Sequence, residues 1–346
     1  MSMKSLTTVQ KAFLALIIAN IIWGAAAAIF KLSLQNIPPF TLAFWRFFLG
    51  AMMILAILRK KVALPLESRQ DGVRLFLYGF LGITINIIFF FEGLKLTLSI
   101  NSPVISSAQP ILTMFFALLF LHEAFKLKKF LGMILGTLGI IVIVIEPLLL
   151  TGIDGSMLGN LYLVIATVAA VGQTIVGKKI VSKYNPWAFT FWAFLVGAAS
   201  FLPLAMYEYI KMPQLYTILD WRGYLGIAYG AIFSSALGYG LYAWGLSKIS
   251  ATDTAIFAYV DPIVGTVLGA ILLHEPITGP FILGAILIFG GIFVAEGRIQ
   301  HYPIRKIILL GQPVHKIPVP VMSGDSAAPA KKLDKKKVLA SIFEKN

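Results

Sequence analysis

Asp261 and Arg46 are the residues whose positions give them chemistry to do. Asp261 lies near the centre of the apolar run 254–273, directly before Pro262. An ionisable group at bilayer depth costs about 2.5–3.5 kcal/mol on insertion scales, so it is a functional candidate by default. The Pro262 ring removes one helical hydrogen bond and loosens the backbone where a binding site needs free polar groups. The carboxyl could bind substrate or carry a coupling proton; capped by backbone donors or paired with a cation, it would be structural. Arg46 stands about seven residues into the run 40–58, roughly 10 Å deep at 1.5 Å per residue, too deep to reach the headgroups fully. It needs a partner, either an ion pair or carbonyl that fixes packing, or an anionic substrate.

Other polar residues are spaced to join them. Asp253, Phe257, Asp261, Gly265 and Gly269 recur every four residues, and Asn101, Ile105, Gln109, Thr113 and Ala117 do the same in run 100–121. Such stripes lie on one helix face, and the two are expected to face one cavity. Pro110 and Pro262 are candidate hinges. Asn20, Asn86, Gln173, Tyr239, Tyr242 and Tyr259 could hydrogen-bond a substrate, with Trp23 and Trp244 as apolar walls; for any one of them, joining helices is the commoner role. Glu92 follows three phenylalanines, but Lys95 is three residues on, a spacing that makes an intrahelical pair.

Several chemistries are excluded. There is no cysteine, hence no disulfide, thiolate nucleophile or cysteine-ligated metal. His122-Glu123 and His274-Glu275 lack the second histidine of H-E-x-x-H, with Lys126 and Thr278 in its place. No G-x-S-x-G or P-loop pattern occurs. No metal or other cofactor is expected.

The elements that position these residues are membrane-spanning helices. The 346 residues are 58% hydrophobic and 13% charged, with mean hydropathy +0.87, against roughly 45–50% and about 25% in soluble domains. A crossing helix needs about 20 mostly apolar residues. Ten runs qualify: 12–30, 40–58, 73–94, 100–121, 130–145, 158–176, 186–207, 223–246, 254–273 and 277–295. The first resembles a secretory signal with small residues at Ala25–Ala28, but is longer than a usual signal core. Lys and Arg concentrate in alternate loops, which predicts both termini in the cytoplasm. The net charge of +14 lies in these loops and in a tail carrying ten basic residues beyond Glu296. That tail is expected to meet anionic lipid headgroups, and nucleic acid is not expected as a partner.

The chain also repeats itself. At an offset of 152 residues Gly93-Leu94 meets Gly245-Leu246, Pro110-Ile111 meets Pro262-Ile263, Leu121-His122-Glu123 meets Leu273-His274-Glu275, and Gly139-Ile140 meets Gly291-Ile292. A shorter offset of 148 pairs Gly24 with Gly172 and Asn36-Ile37-Pro38 with Tyr184-Asn185-Pro186. The halves are residues 12–146 and 155–296, between an amino-terminal segment 1–11 and the tail 297–346. Each half holds five runs, an odd number, so the second copy must enter the bilayer from the opposite side. The expected fold is an all-α integral membrane protein of ten transmembrane helices in two inverted five-helix repeats, an arrangement typical of secondary transporters.

With Trp23-Gly24, Arg46, the mid-run Pro110 and Pro262, the closing Glu123 and Glu275, and the sets Gly132…Gly139 and Gly284…Gly291, residues 12 to about 297 resemble the drug/metabolite transporter superfamily in its duplicated EamA form. Val171 stands where Trp23 would repeat and Phe194 stands opposite Arg46, so neither role is duplicated. The resemblance implies a ten-helix bundle, a cavity lined largely by spans 1, 3, 4, 6, 8 and 9, and export or exchange of small metabolites such as amino acids. The expectation is a secondary transporter in the bacterial plasma membrane, not an enzyme. A channel or scramblase would need a continuous polar stripe or charged ring, and a membrane enzyme a catalytic constellation.

Overall fold

A computed structural model describes residues 7–120, 127–150, 155–249, 251, 254 and 256–296. The described residues all fall within one compact unit. The basic tail, His122-Glu123 with Lys126, and Asp253 lie outside the described residues.

Helices make up the architecture, with no strand among the described residues. In order they are α1 (Thr8–Ser33), α2 (Pro39–Leu58), α3 (Arg69–Gly79), a π-helical segment (Phe80–Ile85), α4 (Asn86–Leu96), α5 (Asn101–Ser106), α6 (Gln109–Phe120) and α7 (Leu127–Leu150). The second half continues with α8 (Gly155–Val181), α9 (Pro186–Lys211), α10 (Gln214–Thr217), α11 (Trp221–Tyr229), a second π segment (Gly230–Tyr239) and α12 (Gly240–Lys248). A 3-10 turn (Ile256–Tyr259), α13 (Val260–Leu273) and α14 (Gly279–Glu296) follow. Five helices are long and apolar enough to cross a membrane: Thr8–Ser33, Pro39–Val62, Arg69–Leu96, Ser156–Lys178 and Pro186–Lys211. Phe130–Glu146, Phe257–Leu273 and Gly279–Gly291 are shorter apolar helices.

Two of the predicted runs are broken rather than continuous. Run 100–121 divides at Ser107-Ala108 into α5 and α6, as suits Pro110, which has no backbone N–H to donate and fits a helix best in its first turn. Pro262 likewise sits in the first turn of α13, after the 3-10 turn, and places Asp261 at that helix start.

Helix starts are capped within and between the halves. Thr7 and Gln10 form a capping box on α1, with the Gln10 N–H donating to Thr7 Oγ1 at 3.2 Å and the Thr7 N–H to Gln10 Oε1 at 2.8 Å. Pro38 cannot cap α2; Glu208 from α9 does so, accepting from the Phe40 and Thr41 N–H groups at 3.1 and 2.7 Å and from Thr41 Oγ1 at 2.8 Å. Glu275 serves α5 in the same way, accepting from the Ser99 N–H, Ser99 Oγ and the Ile100 N–H at 2.7, 2.8 and 3.0 Å. That is the role of the glutamate in the second His-Glu pair, and His274 beside it ends α13 in the left-handed conformation. Such a cap is worth about 0.5–2 kcal/mol.

Helices cannot be driven together by hydrophobicity in lipid, so close van der Waals contact must hold them. Glycines permit it where α7 meets α14: a methyl on Gly139 would lie 2.6 Å from the Gly284 carbonyl, and one on Gly284 3.0 Å from that of Gly139. At the crossing of α1 and α13, a methyl on Gly24 would lie 2.8 Å from the carbonyl of Asp261.

Candidate functional site

Between the helices lies a cavity of about 120 Å³. Trp23, Ala26, Ala27 and Phe30 of α1 face it with Arg46 of α2; Asn86, Ile87 and Phe90 come from α4, Ser102 and Ser106 from α5, and Gln109 from α6. From the second half come Thr167, Gln173 and Thr174 of α8, Ser234 and Tyr239 of the second π segment, Tyr242 of α12 and Asp261 of α13. Apolar atoms make up most of the exposed wall, although many of the lining side chains carry a polar group, a composition suited to a small polar molecule.

Arg46 is 1% exposed. Its Nε donates to Ser235 Oγ at 3.1 Å and its Nη2 to Ser234 Oγ at 2.9 Å. The guanidinium carbon lies 4.6 Å from the ring centres of both Phe30 and Phe47 and 5.7 Å from that of Phe91, close enough for cation–π attraction. Among the described residues it forms no ion pair. The cation is thus held by hydroxyls and aromatic faces with its charge left unneutralised.

Asp261 is the converse. It is 7% exposed, its Oδ1 has no hydrogen-bond partner, and no cation pairs with it among the described residues. Its place in the first turn of α13 turns the positive end of the helix dipole toward its charge.

Neutral residues expected at the site join helices around it. The Trp23 indole N–H donates to the Ser234 carbonyl at 3.0 Å, and its ring lies 5.1 and 5.2 Å from those of Tyr239 and Tyr242. The Tyr239 hydroxyl donates to the Gly82 carbonyl at 3.1 Å, the Tyr242 hydroxyl lies 2.8 Å from Thr174 Oγ1, and Asn86 Nδ2 donates to the Ala166 carbonyl at 2.7 Å. Gln173 is buried with its Nε2 unpartnered.

Other expected residues do not line this cavity. Glu92 pairs with Lys95 at 3.3 Å on an accessible face. Tyr259 packs on Phe289, with ring centres 6.2 Å apart, and Trp244, Pro110 and Pro262 are also absent from the wall. Among the described residues of the two stripes, only Gln109 and Asp261 reach the cavity. Asn101 instead bonds to Thr97 and Asn160, while Gly265 and Gly269 pack on Pro103 and Ile100. Four-residue spacing is a helical period, and the breaks before α6 and α13 interrupt it.

Sequence reasoning missed Ser234, Ser235 and both π segments. Two adjacent hydroxyls in an apolar run were a visible sign of a buried donor needing acceptors. The π segments have no comparable sign, although such turns recur at functional sites.

At the ends of the spans, charged and polar groups tie the two halves together. Lys183 Nζ lies 2.7 Å from Asp71 Oδ2 and 2.7 Å from Glu67 Oε2, and the hydrogen bonds to Asp71 and then Glu67 raise its pKa above that of an ordinary lysine. Asn36 Oδ1 accepts from the Asp220 N–H at 2.9 Å. The Arg222 side chain, hydrogen-bonded to Asp220, holds that carboxyl below the usual carboxylate range.

A helical membrane protein with a cavity of mixed apolar and polar lining assembled from both halves is the class these features define. Within it, the chain belongs to the EamA-like transporter family, which matches residues 10–145 and 157–296. The chain is similar to the uncharacterized transporter YetK of Bacillus subtilis, at 26% identity over 82% of this chain and 86% of that one. An uncharacterized transporter of Archaeoglobus fulgidus is 28% identical over 82% and 98% of the two chains. A probable amino-acid metabolite efflux pump of Salmonella typhimurium is 27% identical over 82% and 93%. A solved crystal structure shares the fold with a TM-score of 0.59 at 18% identity, over 82% of this chain and 96% of the other.

Proposed function

We propose that this chain is a secondary transporter that exports or exchanges a small polar metabolite, an amino acid or a related compound, by alternating access of two inverted five-helix halves. The observation carrying the proposal is the pairing of opposite deficits in one cavity wall: Arg46 has no carboxylate partner and Asp261 no cation partner among the described residues. A zwitterion supplies both, its carboxylate facing Arg46 and its ammonium facing Asp261, with Phe30, Phe90 and Trp23 against its apolar part. Charge-assisted hydrogen bonds of this kind are worth about 1.5–3 kcal/mol each. The amino-acid metabolite efflux pump among the relatives supports the substrate class.

Asp261 is also the proposed site of proton coupling. Proteoliposomes loaded with labelled amino acids should show saturable flux and counterflow, accelerated by a pH gradient in the native protein and indifferent to it in Asp261→Asn. Full pH-driven flux in the variant would remove the coupling assignment; non-saturating flux without counterflow would indicate a channel instead. Cysteines introduced singly behind α6 and α13 into this cysteine-free chain should label from opposite sides of a bacterial plasma membrane, with both termini cytoplasmic and the basic tail against anionic lipid. Labelling from one side would overturn the inverted arrangement.

A further inference from the structure

We propose that Gln173 determines specificity by donating its carboxamide N–H to an acceptor oxygen on the transported metabolite, and that Gly82 is the positioning residue that seats it. The proposal rests on the transport reading above and adds to it a second recognition element, distinct from the two charges. The other N–H donors around the cavity are bonded or less enclosed: Trp23 is bound to Ser234, Asn86 to Ala166 and Arg46 to two serines, the Tyr239 hydroxyl is bound to Gly82, and the Gln109 carboxamide belongs to a half-buried side chain. Gln173, only 5% exposed, has an Nε2 with no partner, yet it lines the cavity. A buried amide donor left unpaired is unfavourable, and an oxygen on the occupant relieves it.

Gly82 explains why the side chain lies there. A methyl group at that position would overlap the Gln173 carboxamide, so the missing Cβ forms its seat, inside a π segment whose Gly82 carbonyl is fixed by Tyr239. The second π segment contains a looser seat at a different register: a methyl on Gly238 would lie 2.7 Å from Nε1 of Trp23. The two seats also differ in that the indole N–H is satisfied by the Ser234 carbonyl and the carboxamide N–H is not.

The test uses solutes that differ by one acceptor oxygen. Full-length protein in proteoliposomes is assayed with labelled methionine and methionine sulfoxide, and with leucine and asparagine as a second, less exact pair. The native protein should favour the sulfoxide over methionine by about 3- to 10-fold, the range expected for one neutral hydrogen bond. Gln173→Leu and Gly82→Ala should bring that ratio to about one, because sulfoxide flux falls by more than methionine flux, and Gln173→Glu should lose it at neutral pH. Size-exclusion profiles and melting temperatures establish that each variant is folded. A native ratio at or below one, a ratio unchanged in Gln173→Leu, or an equal fall for both solutes in folded variants overturns the assignment to Gln173 while leaving transport intact. Absence of saturable flux for every solute in the native protein overturns the transport reading, and this inference with it.

Discussion

The two halves of the molecule share a scaffold and differ at the cavity. Near the end of α1, Lys31 donates to the carbonyls of Leu94 and Thr97; near the end of α8, Lys178 donates to those of Leu246 and Ile249. Both clamps neutralise the carbonyl end of a helix with a cation. The residues 82 and 234, separated by the repeat offset, each offer a carbonyl to an aromatic side chain, Tyr239 in one case and Trp23 in the other. Around the cavity this correspondence stops: Arg46 faces Phe194 in the alignment of the halves, and Val171 replaces Trp23. In these pairs the repeat keeps contacts to backbone carbonyls and differs at two residues of the cavity wall, Trp23 and Arg46.

The sharpest way to break this comparison is to make the first half copy the second. Arg46→Phe should reduce amino-acid flux at least ten-fold, because a charge-assisted contact worth about 1.5–3 kcal/mol is removed. Its melting temperature should hold or rise, since replacing a buried, unneutralised charge by an apolar group is often neutral or stabilising. Equal loss of folding and flux would assign Arg46 to the scaffold.

A smaller contrast is expected at paired glycines. Gly24→Val should collide with the Asp261 carbonyl and the Val264 side chain and destabilise by about 1–3 kcal/mol. Its counterpart Gly172→Ala meets only a Leu81 methyl at 3.3 Å and should be nearly neutral. Urea titration in detergent checks both, and equal losses would argue against unequal packing. Next comes the cap between halves: Glu275→Gln should cost about 0.5–2 kcal/mol, read as the same shift in unfolding midpoint, with Glu208→Gln similar.

The smallest effect concerns the loop pair at Lys183. Its pKa is raised in the fold above the ordinary 10.5, so its contribution is fully present below that pH and fades as pH rises through the folded value. Lys183→Ala should therefore narrow its stability gap to the native protein only in strongly alkaline buffer. A gap that closes near neutral pH would show the pair to be unimportant.

Much of this was legible in the sequence. Apolar runs, the offset repeat and the glycine faces all reflect periodic burial, which single residues report directly. Asp261 and Arg46 were visible because a charge within an apolar run has few explanations. Trp244 and Glu92 lie away from this cavity after π turns, whose extra residue shifts the phase that 3.6-residue spacing would give, and Tyr259 lies away from it in a 3-10 turn. Gln173 was visible as a polar residue, but its empty seat depends on Gly82, in another helix and some ninety positions away.

A π turn holds roughly one residue more than the α-helix around it, and each residue advances a helix by about 100°. Removing a single residue within Phe80–Ile85 would therefore do more than shorten α4. It would rotate Asn86, Ile87 and Phe90 toward the lipid and bring their neighbours inward, exchanging one wall of the chamber for another without changing any side chain that now forms it.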